Sequence, residues 1–165
     1  MVSRLLCFFI ACLLMACNTC EWVSSPALSY SFDTIWNTGY QVLSKRYDIV
    51  KASKEKREIE TEWRKQMSIH YLEGFRDKVI MKIEEYDSSV DASDLSKPLD
   101  LDNETPAGPQ YVIKLCVPRE QNRDMDNSLA PSEAEWYHAG HNYEEANMLI
   151  SFIATRLSLL HPKMK

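Results

Sequence analysis

The sequence has 165 residues, of which 45% are hydrophobic and 4 are glycine, and a formal net charge of −5. This length favours one domain that buries enough apolar surface to fold without a metal or a set of disulfides. The negative charge disfavours nucleic acid and an anionic membrane surface as electrostatic partners, because both attract basic protein faces.

The N-terminus has the pattern of an export signal. A short start with one positive charge, Arg4, precedes an apolar run over residues 5–15. As a helix this run is about 16 Å long, which is too short for a hydrocarbon core of about 30 Å. It matches the apolar region of a signal peptide, so we predict that residues 1–16 are removed.

The end of this run resembles the bacterial lipobox. Leu14, Met15 and Ala16 precede Cys17, and in the lipobox a leucine and a small residue precede an invariant cysteine. The resemblance implies that Cys17 carries a diacylglyceryl group and usually a third acyl chain, and two or more chains anchor a protein to a membrane stably. It implies a lipoprotein of the bacterial cell envelope, and Asn18 favours the outer over the inner membrane. An ordinary signal peptide cut nearby and an uncleaved anchor are the alternatives.

The residues after the anchor are predicted to form a tether. Residues 17–29 are rich in serine, contain Pro26 and lack hydrophobic periodicity. Once the leader is removed and Cys17 is lipidated, the remaining thiols are those of Cys20 and Cys116. One interpretation is a disulfide between them in an oxidising periplasm. The other is an unpaired Cys20 and a buried thiol at Cys116.

Two amphipathic helices frame the rest of the chain. Apolar residues at steps of three and four predict one helix over residues 32–46 and another over residues 143–160. Ser31 suits the N-cap of the first helix. Asn142 and Glu145 have the spacing of a capping box at the start of the second.

The segments between the helices have strand character. Alternating or continuous apolar residues predict strands over residues 47–52, 58–63, 67–72, 78–83 and 111–117. The segments 67–72 and 78–83 flank Gly74 and are either one long bent strand or two strands joined by a turn. Residues 87–109, which are acidic and contain three prolines, are predicted to be a mobile surface loop, and residues 118–131 a second polar loop. The predicted fold class is α+β. A single domain over residues 30–165 has an antiparallel sheet of about four or five strands, with the N-terminal and C-terminal helices packed on one face.

This order of elements resembles that of envelope lipoproteins with a helix-grip domain. After the first helix come a Tyr-Asp-Ile-Val strand from Tyr47, an Ile-Glu-Thr-Glu-Trp strand ending at Trp63, and a strand from near Arg76. An acidic loop, Trp136 and the closing helix follow. The BamC-like lipoproteins of the outer-membrane protein assembly machinery have this pattern, and the likeness is topological over about residues 30–160. The resemblance implies a non-enzymatic partner in an assembly complex, with no catalytic residues to carry over.

The sequence has no pattern that predicts catalysis. Its four glycines form no Gly-x-Ser-x-Gly elbow and no phosphate-binding loop, and a thiol in an apolar strand, such as Cys116, is usually inert. His138 and His141 with Glu144 or Glu145 are candidate metal ligands, but the histidines are predicted to lie in a turn before the helix and the His-Glu-x-x-His pattern is missing. The acidic loop lacks the spacing of a calcium loop. We therefore predict no enzyme activity, no metal and no cofactor.

Aromatic residues at the surface are the remaining candidates for function. The predicted partner surface contains Trp63, in the mixed-charge stretch 51–64, and Trp136. The predicted function is that of a non-enzymatic accessory or assembly module in an envelope protein complex. The alternative is a periplasmic lipoprotein that binds a lipid or another apolar molecule in a cavity between sheet and helices. A hydrolase ranks third.

Overall fold

A computed structural model of the chain describes four stretches, residues 20–66, 74–87, 108–122 and 135–160. The predicted signal peptide, the lipidation site Cys17, the 67–72 strand and residues 88–107 of the acidic loop lie outside them. The described stretches contain two helices, α1 (Phe32–Ser44) and α2 (Tyr143–Leu160). Their strands are β1 (Val23–Ser24), β2 (Ile49–Ser53), β3 (Glu58–Thr61), β4 (Arg64–Gln66), β5 (Phe75–Asp77), β6 (Ile80–Glu85), β7 (Tyr111–Cys116), β8 (Pro118–Asn122) and β9 (Trp136–His141).

The strands form two antiparallel sheets. The first sheet has the order β1-β7-β6-β3-β2, and the second has the order β4-β5-β8-β9. The helices pack against each other, and α2 lies on β7 and β1 of the first sheet. The predicted α+β class is confirmed, with a five-stranded antiparallel sheet, one helix on the N-terminal side and one at the C-terminus. The second sheet is an addition that the sequence analysis did not predict.

A hydrophobic core joins the helices to the first sheet. Its fully buried side chains come from α1, from alternate positions of the strands and from α2, and include Ile35, Leu43, Ile59, Met81, Ile113, Leu115, Leu149 and Ile153. Gly39 brings α1 close to the sheet, because a Cβ atom at this position would lie 2.7 Å from Met81 Cε. The helix therefore lies directly on the strands here. Neither of the two described helices has the length and hydropathy needed to span a membrane.

Three segments of the chain run between the two sheets. β4 follows β3 after two residues, β6 follows β5 after two residues, and β8 follows β7 after Val117 alone. At the first break, Thr61 N donates to Val79 O at 3.0 Å, and the Thr61 hydroxyl accepts from Val79 N at 2.9 Å. At each of these breaks, one or two residues leave the regular hydrogen bonding between strands. The strand before the break and the strand after it therefore belong to different sheets, although they follow each other closely in the sequence.

The predicted tether is wrong for residues 20–29, because part of this segment lies along the first sheet. β1 pairs with β7, Ser25 N donates to Ile113 O at 2.8 Å, and Leu28 N donates to Tyr111 O at 2.8 Å. The domain therefore begins before residue 30. A strand of two residues has no periodicity from which to predict it, and its partner is remote in the sequence.

Two further segments differ from their predictions. Residues 118–122, predicted to be part of a polar loop, form β8, and the residues just before α2 form β9 instead of a turn. β8 has no alternation of apolar and polar residues, and it is aligned by charged pairs across β5, where Arg76 lies opposite Glu120 and Asp77 opposite Arg119. α1 ends at Ser44, two residues before its predicted end, which is the usual uncertainty of a helix boundary.

Candidate functional site

The two tryptophans of the predicted partner surface lie on either side of one arginine. The Arg76 guanidinium carbon is 4.8 Å from the centre of the Trp63 ring and 4.5 Å from the centre of the Trp136 ring. Both distances are those of cation–π contacts. We call Trp63, Arg76 and Trp136 the tryptophan–arginine cluster. All three side chains are half-buried.

The cluster is assembled by the second sheet and the break before it. Trp63 lies between β3 and β4, Arg76 is the middle residue of β5, and Trp136 begins β9. Arg76 lies opposite Glu120 of β8, and its Nε atom donates to Glu120 Oε2 at 2.6 Å. The ion pair and the two rings together hold the guanidinium in one position.

Charged pairs extend from the cluster onto the face of the first sheet opposite the helices. Lys78 Nζ lies 5.4 Å from the centre of the Trp63 ring and 2.7 Å from Glu60 Oε1. Lys82 Nζ lies 5.0 Å from the centre of the Trp22 ring. Three of the four tryptophans therefore contact a cation, and the surface combines aromatic area with charges of both signs.

A polar cavity of about 230 Å³ lies next to the cluster. Trp63 forms one wall, and the cavity is also lined by Lys45, Arg46, Tyr47 and Arg64. Its donors and charges can receive a polar side chain or a small polar group of a partner.

A buried carboxylate holds the second sheet to α2. Asp77 is fully buried and accepts from Arg119 Nε at 2.8 Å, from Arg119 Nη2 at 2.9 Å and from Asn142 Nδ2 at 3.0 Å. The hydrogen bond to Asp77 raises the pKa of Arg119. This bidentate pair with an amide as third donor is the arrangement that satisfies a buried charge.

The predicted capping box is half correct. Glu145 N donates to Asn142 Oδ1 at 3.2 Å, as predicted, but Asn142 N donates to Val117 O at 2.8 Å and not to the Glu145 side chain. The Glu145 carboxylate instead accepts from the Tyr47 hydroxyl at 2.8 Å and forms ion pairs with two arginines, Arg46 and Arg64. The start of α2 is therefore tied by the backbone to Val117, between β7 and β8, and by Glu145 to the residues that line the polar cavity.

Replacing Asn142 with alanine is expected to lower the free energy of unfolding by about 2 kcal/mol. Loss of a helix N-cap typically costs about 1 kcal/mol, and loss of the hydrogen bond to buried Asp77 adds about the same. Urea unfolding followed by circular dichroism measures the change. Asn147→Ala, at an exposed position inside α2, is the matched control and should change stability by less than about 0.5 kcal/mol. Equal effects of the two substitutions would contradict the capping role.

Replacing Tyr47 with phenylalanine is expected to make the free energy of unfolding fall less steeply with pH in alkaline solution. Burial, and then the hydrogen bond to Glu145, raise the pKa of Tyr47 above its ordinary value of about 10. The Tyr47 hydroxyl therefore ionises at a lower pH in the unfolded chain than in the folded protein. The raised pKa contributes stability below about pH 10, and this stability is lost as the pH rises further.

Urea unfolding at several pH values between about 8 and 11 tests this expectation. The free energy of unfolding should fall more steeply for the wild type than for Tyr47→Phe, while at neutral pH the variant should be about 1 kcal/mol less stable because Glu145 loses a donor. Tyr40→Phe changes an exposed tyrosine of α1 and serves as the control. Parallel alkaline curves for wild type and Tyr47→Phe would count against the buried hydrogen bond.

Cys20 and Cys116 form a disulfide with a Cα–Cα distance of 5.9 Å. This is one of the two interpretations that the sequence leaves open. The ligand atoms of Cys20, Cys116 and His141 all lie within 4.8 Å of one another. Among the described residues, Glu144 and Glu145 are not part of this group of mutually close ligand atoms. The two carboxylates that the sequence suggested as ligands beside the histidines therefore do not join His141 there.

His138 and His141 lie in a strand rather than in the predicted turn. β9 has one extra residue relative to β8, between the pairs Glu120↔His138 and Pro118↔His141, and Gly140 at this bulge has a φ of +86°. One extra residue brings two positions that are three apart onto the same side of a strand. The two histidine rings are accordingly 5.4 Å apart.

No protein-family model matches the sequence, and a search of curated proteins finds no match either. The resemblance to BamC-like lipoproteins therefore remains a prediction, and the functional argument depends on the residues themselves.

Proposed function

We propose that this chain is a non-enzymatic lipoprotein of the bacterial cell envelope that acts as an accessory or assembly module in a protein complex. Its partner contact is the tryptophan–arginine cluster with the adjoining polar cavity. The observation that carries the proposal is that Trp63 and Trp136, from segments far apart in the sequence, both contact Arg76. Tryptophan and arginine are the residues most enriched at energetically important positions of interfaces.

The chemistry of the cluster supports recognition rather than turnover. Arg76 is already paired with Glu120 and enclosed by two rings, so it offers a rigid surface with little side-chain entropy left to lose. Rigid aromatic area beside fixed donors favours binding, because ordering costs are small. Half-burial leaves part of each ring for a partner.

The disulfide supports a position close to the membrane. Cys17, the proposed lipid site, precedes Cys20 by three residues, which span at most about 11 Å when extended. Cys20 is bonded to Cys116 in β7. If Cys17 is lipidated, the domain is therefore held next to the bilayer and not on a long tether.

Intact mass of the membrane-extracted protein tests the anchor. We expect a mature N-terminus at residue 17 with added acyl mass, and loss of both in Cys17→Ser. An unmodified mass, or cleavage at another residue in the wild type, would overturn the lipoprotein part of the proposal. It would leave the tryptophan–arginine cluster to be tested as the contact of a protein without an anchor.

Site-specific photocrosslinking in intact cells tests the partner contact. A photoreactive amino acid in place of Trp136 should give one discrete adduct of higher mass, and Trp63→Ala should reduce its yield. Tyr137 is the matched control position, because it is the next residue of β9, is exposed and faces the other side of the strand. An adduct of equal yield at Tyr137, or none at Trp136, would contradict the proposed surface.

The alternative function, binding of an apolar molecule, is supported by a groove between α1 and α2. Its volume is about 370 Å³, with apolar side chains and cations among its lining residues, Val42, Phe152, Leu159, Lys45, Arg46 and Arg156. It lies between the two helices and not between helices and sheet, where Gly39 packs directly on Met81. Displacement of a fluorescent fatty acid, and loss of binding in Phe152→Asp, would favour this alternative. Absence of binding by the wild type would exclude it for fatty acids.

A further inference from the structure

We propose that Cys20, Cys116 and His141 form a metal site that becomes available when the disulfide is reduced, and that its cation is Zn²⁺. Their ligand atoms lie within 4.8 Å of one another. Two thiolates and one imidazole are a ligand set that Zn²⁺ uses, with a water or substrate in the fourth position. This site is separate from the tryptophan–arginine cluster and does not depend on the proposed function.

The fold brings the three ligands together from three segments. Cys20 lies just before β1, Cys116 ends β7, and His141 ends β9. β1 is held to β7 by the pair Val23↔Leu115 in addition to the disulfide. The backbone around the site is therefore fixed by hydrogen bonds that remain when the sulfur–sulfur bond is broken, and the ligands do not have to be gathered from a disordered chain.

The spacing of the ligand atoms suits a tetrahedral cation. Zn–S bonds of about 2.3 Å place two thiolates roughly 3.8 Å apart, and Zn–N bonds are about 2.0 Å. Breaking the disulfide lets the two sulfurs separate to this distance inside the existing 4.8 Å group. No large movement of the strands is required.

His141 already directs a nitrogen lone pair towards the segment that carries Cys20. Its Nε2 atom accepts from Glu21 N at 3.4 Å, a long hydrogen bond that a metal–nitrogen bond would replace. The His138 ring lies beside the His141 ring at 5.4 Å but is not in the group of mutually close ligand atoms. His138 is therefore a control residue of the same type on the same strand.

A dithiol can supply the reduction that opens the site. A thiolate of the dithiol attacks Cys20 Sγ, because Cys20 is half-buried while Cys116 is fully buried, and Cys116 leaves as a thiolate. The second thiol of the reductant then releases Cys20 and closes the oxidised dithiol. Two electrons and two protons pass to the protein. Binding of Zn²⁺ to the two thiolates releases these protons. Thiol exchange with the disulfide of an oxidised partner, which takes up two electrons and two protons and becomes a dithiol, re-forms the Cys20–Cys116 bond and releases the metal.

Cobalt titration of the full-length chain tests the site. Cys7, Cys12 and Cys17 are replaced by serine so that Cys20 and Cys116 are the only cysteines. Co²⁺ reports bound thiolates through charge-transfer absorption in the near ultraviolet, and Zn²⁺ should displace it. We expect saturation at one equivalent after reduction with a phosphine, and no bands from the oxidised protein.

Variants identify the ligands. His141→Ala should weaken Co²⁺ binding by at least about tenfold. Loss of a residue that only hydrogen-bonds to a metal ligand already lowers metal affinity by about 10- to 100-fold, and His141 is a proposed ligand itself. His138→Ala should stay within about twofold of the parent, and Cys20→Ser should lose the charge-transfer bands while circular dichroism shows a folded protein. Bands from the oxidised protein, an unchanged affinity in His141→Ala, or no binding by the reduced parent would overturn the site. If Cys20→Ser does not fold, the comparison of Co²⁺ binding by the reduced and the oxidised parent protein tests whether the thiols are ligands.

Discussion

Breaking the Cys20–Cys116 disulfide is expected to lower the free energy of unfolding by about 4 kcal/mol. The bond closes a loop with a sequence separation of 96 residues. A cross-link over a loop of this size restricts the unfolded chain strongly, by about 4.7 kcal/mol in the chain-entropy model and by about 2–5 kcal/mol in measured cases. In the folded state the bond also secures β1, a strand of only two residues.

Urea unfolding of the oxidised and reduced protein measures this effect. A chelator must be present, because binding of a metal to the reduced thiols would restore part of the stability. Cys20→Ser is the control, since it lacks the bond under both conditions and reductant should not change its unfolding midpoint. Coincident midpoints for oxidised and reduced wild type would show that the disulfide contributes no stability.

Replacing Asp77 with alanine is expected to lower the free energy of unfolding by about 3 kcal/mol. Asp77 is fully buried and accepts hydrogen bonds from Arg119 Nε, Arg119 Nη2 and Asn142 Nδ2. Removing one partner of a buried ion pair typically costs about 3–5 kcal/mol because the other charge is left uncompensated. The Arg119 side chain is 29% exposed, so water compensates it in part and the lower end of this range applies.

Thermal or urea unfolding of Asp77→Ala gives the size of this effect. Asp48→Ala, at an exposed position, is the matched control and should change stability by less than about 0.5 kcal/mol. Combining Asp77→Ala with Arg119→Ala should cost less than the sum of the single changes, because the second substitution removes the uncompensated charge. Additive effects would contradict an energetic coupling of the pair.

The sequence was sufficient for the parts of the fold that bury an apolar face. α2 has the predicted bounds, and α1 differs from its prediction only at its C-terminal end. β6 and β7 were predicted because their inward residues, such as Met81, Ile83 and Ile113, alternate with polar ones or form a continuous apolar run. Hydrophobic periodicity is a local signal, and it is strong wherever an element faces one core.

The candidate residues were predictable as types but not as a site. Trp63 and Trp136 could be proposed because aromatic residues outside a periodic apolar face often contact partners. Arg76 was missed, since an arginine in a polar segment gives no signal of its own. The sequence shows only that Arg76 lies somewhere between two tryptophan-bearing segments, and this becomes informative only when the strand pairing is known.

Tertiary structure alone decided the second sheet, the disulfide and the grouping of the ligands. β8 contains no apolar alternation and is aligned by Arg119 with Asp77 and by Glu120 with Arg76. These pairs, like the Cys20–Cys116 bond, connect residues far apart in the chain, and β1 is too short to show a period. The hydrophobic pattern of a segment indicates which of its residues face a hydrophobic core. Ion pairs, disulfides and backbone hydrogen bonds between residues far apart in the chain depend on the positions that core packing gives to the strands.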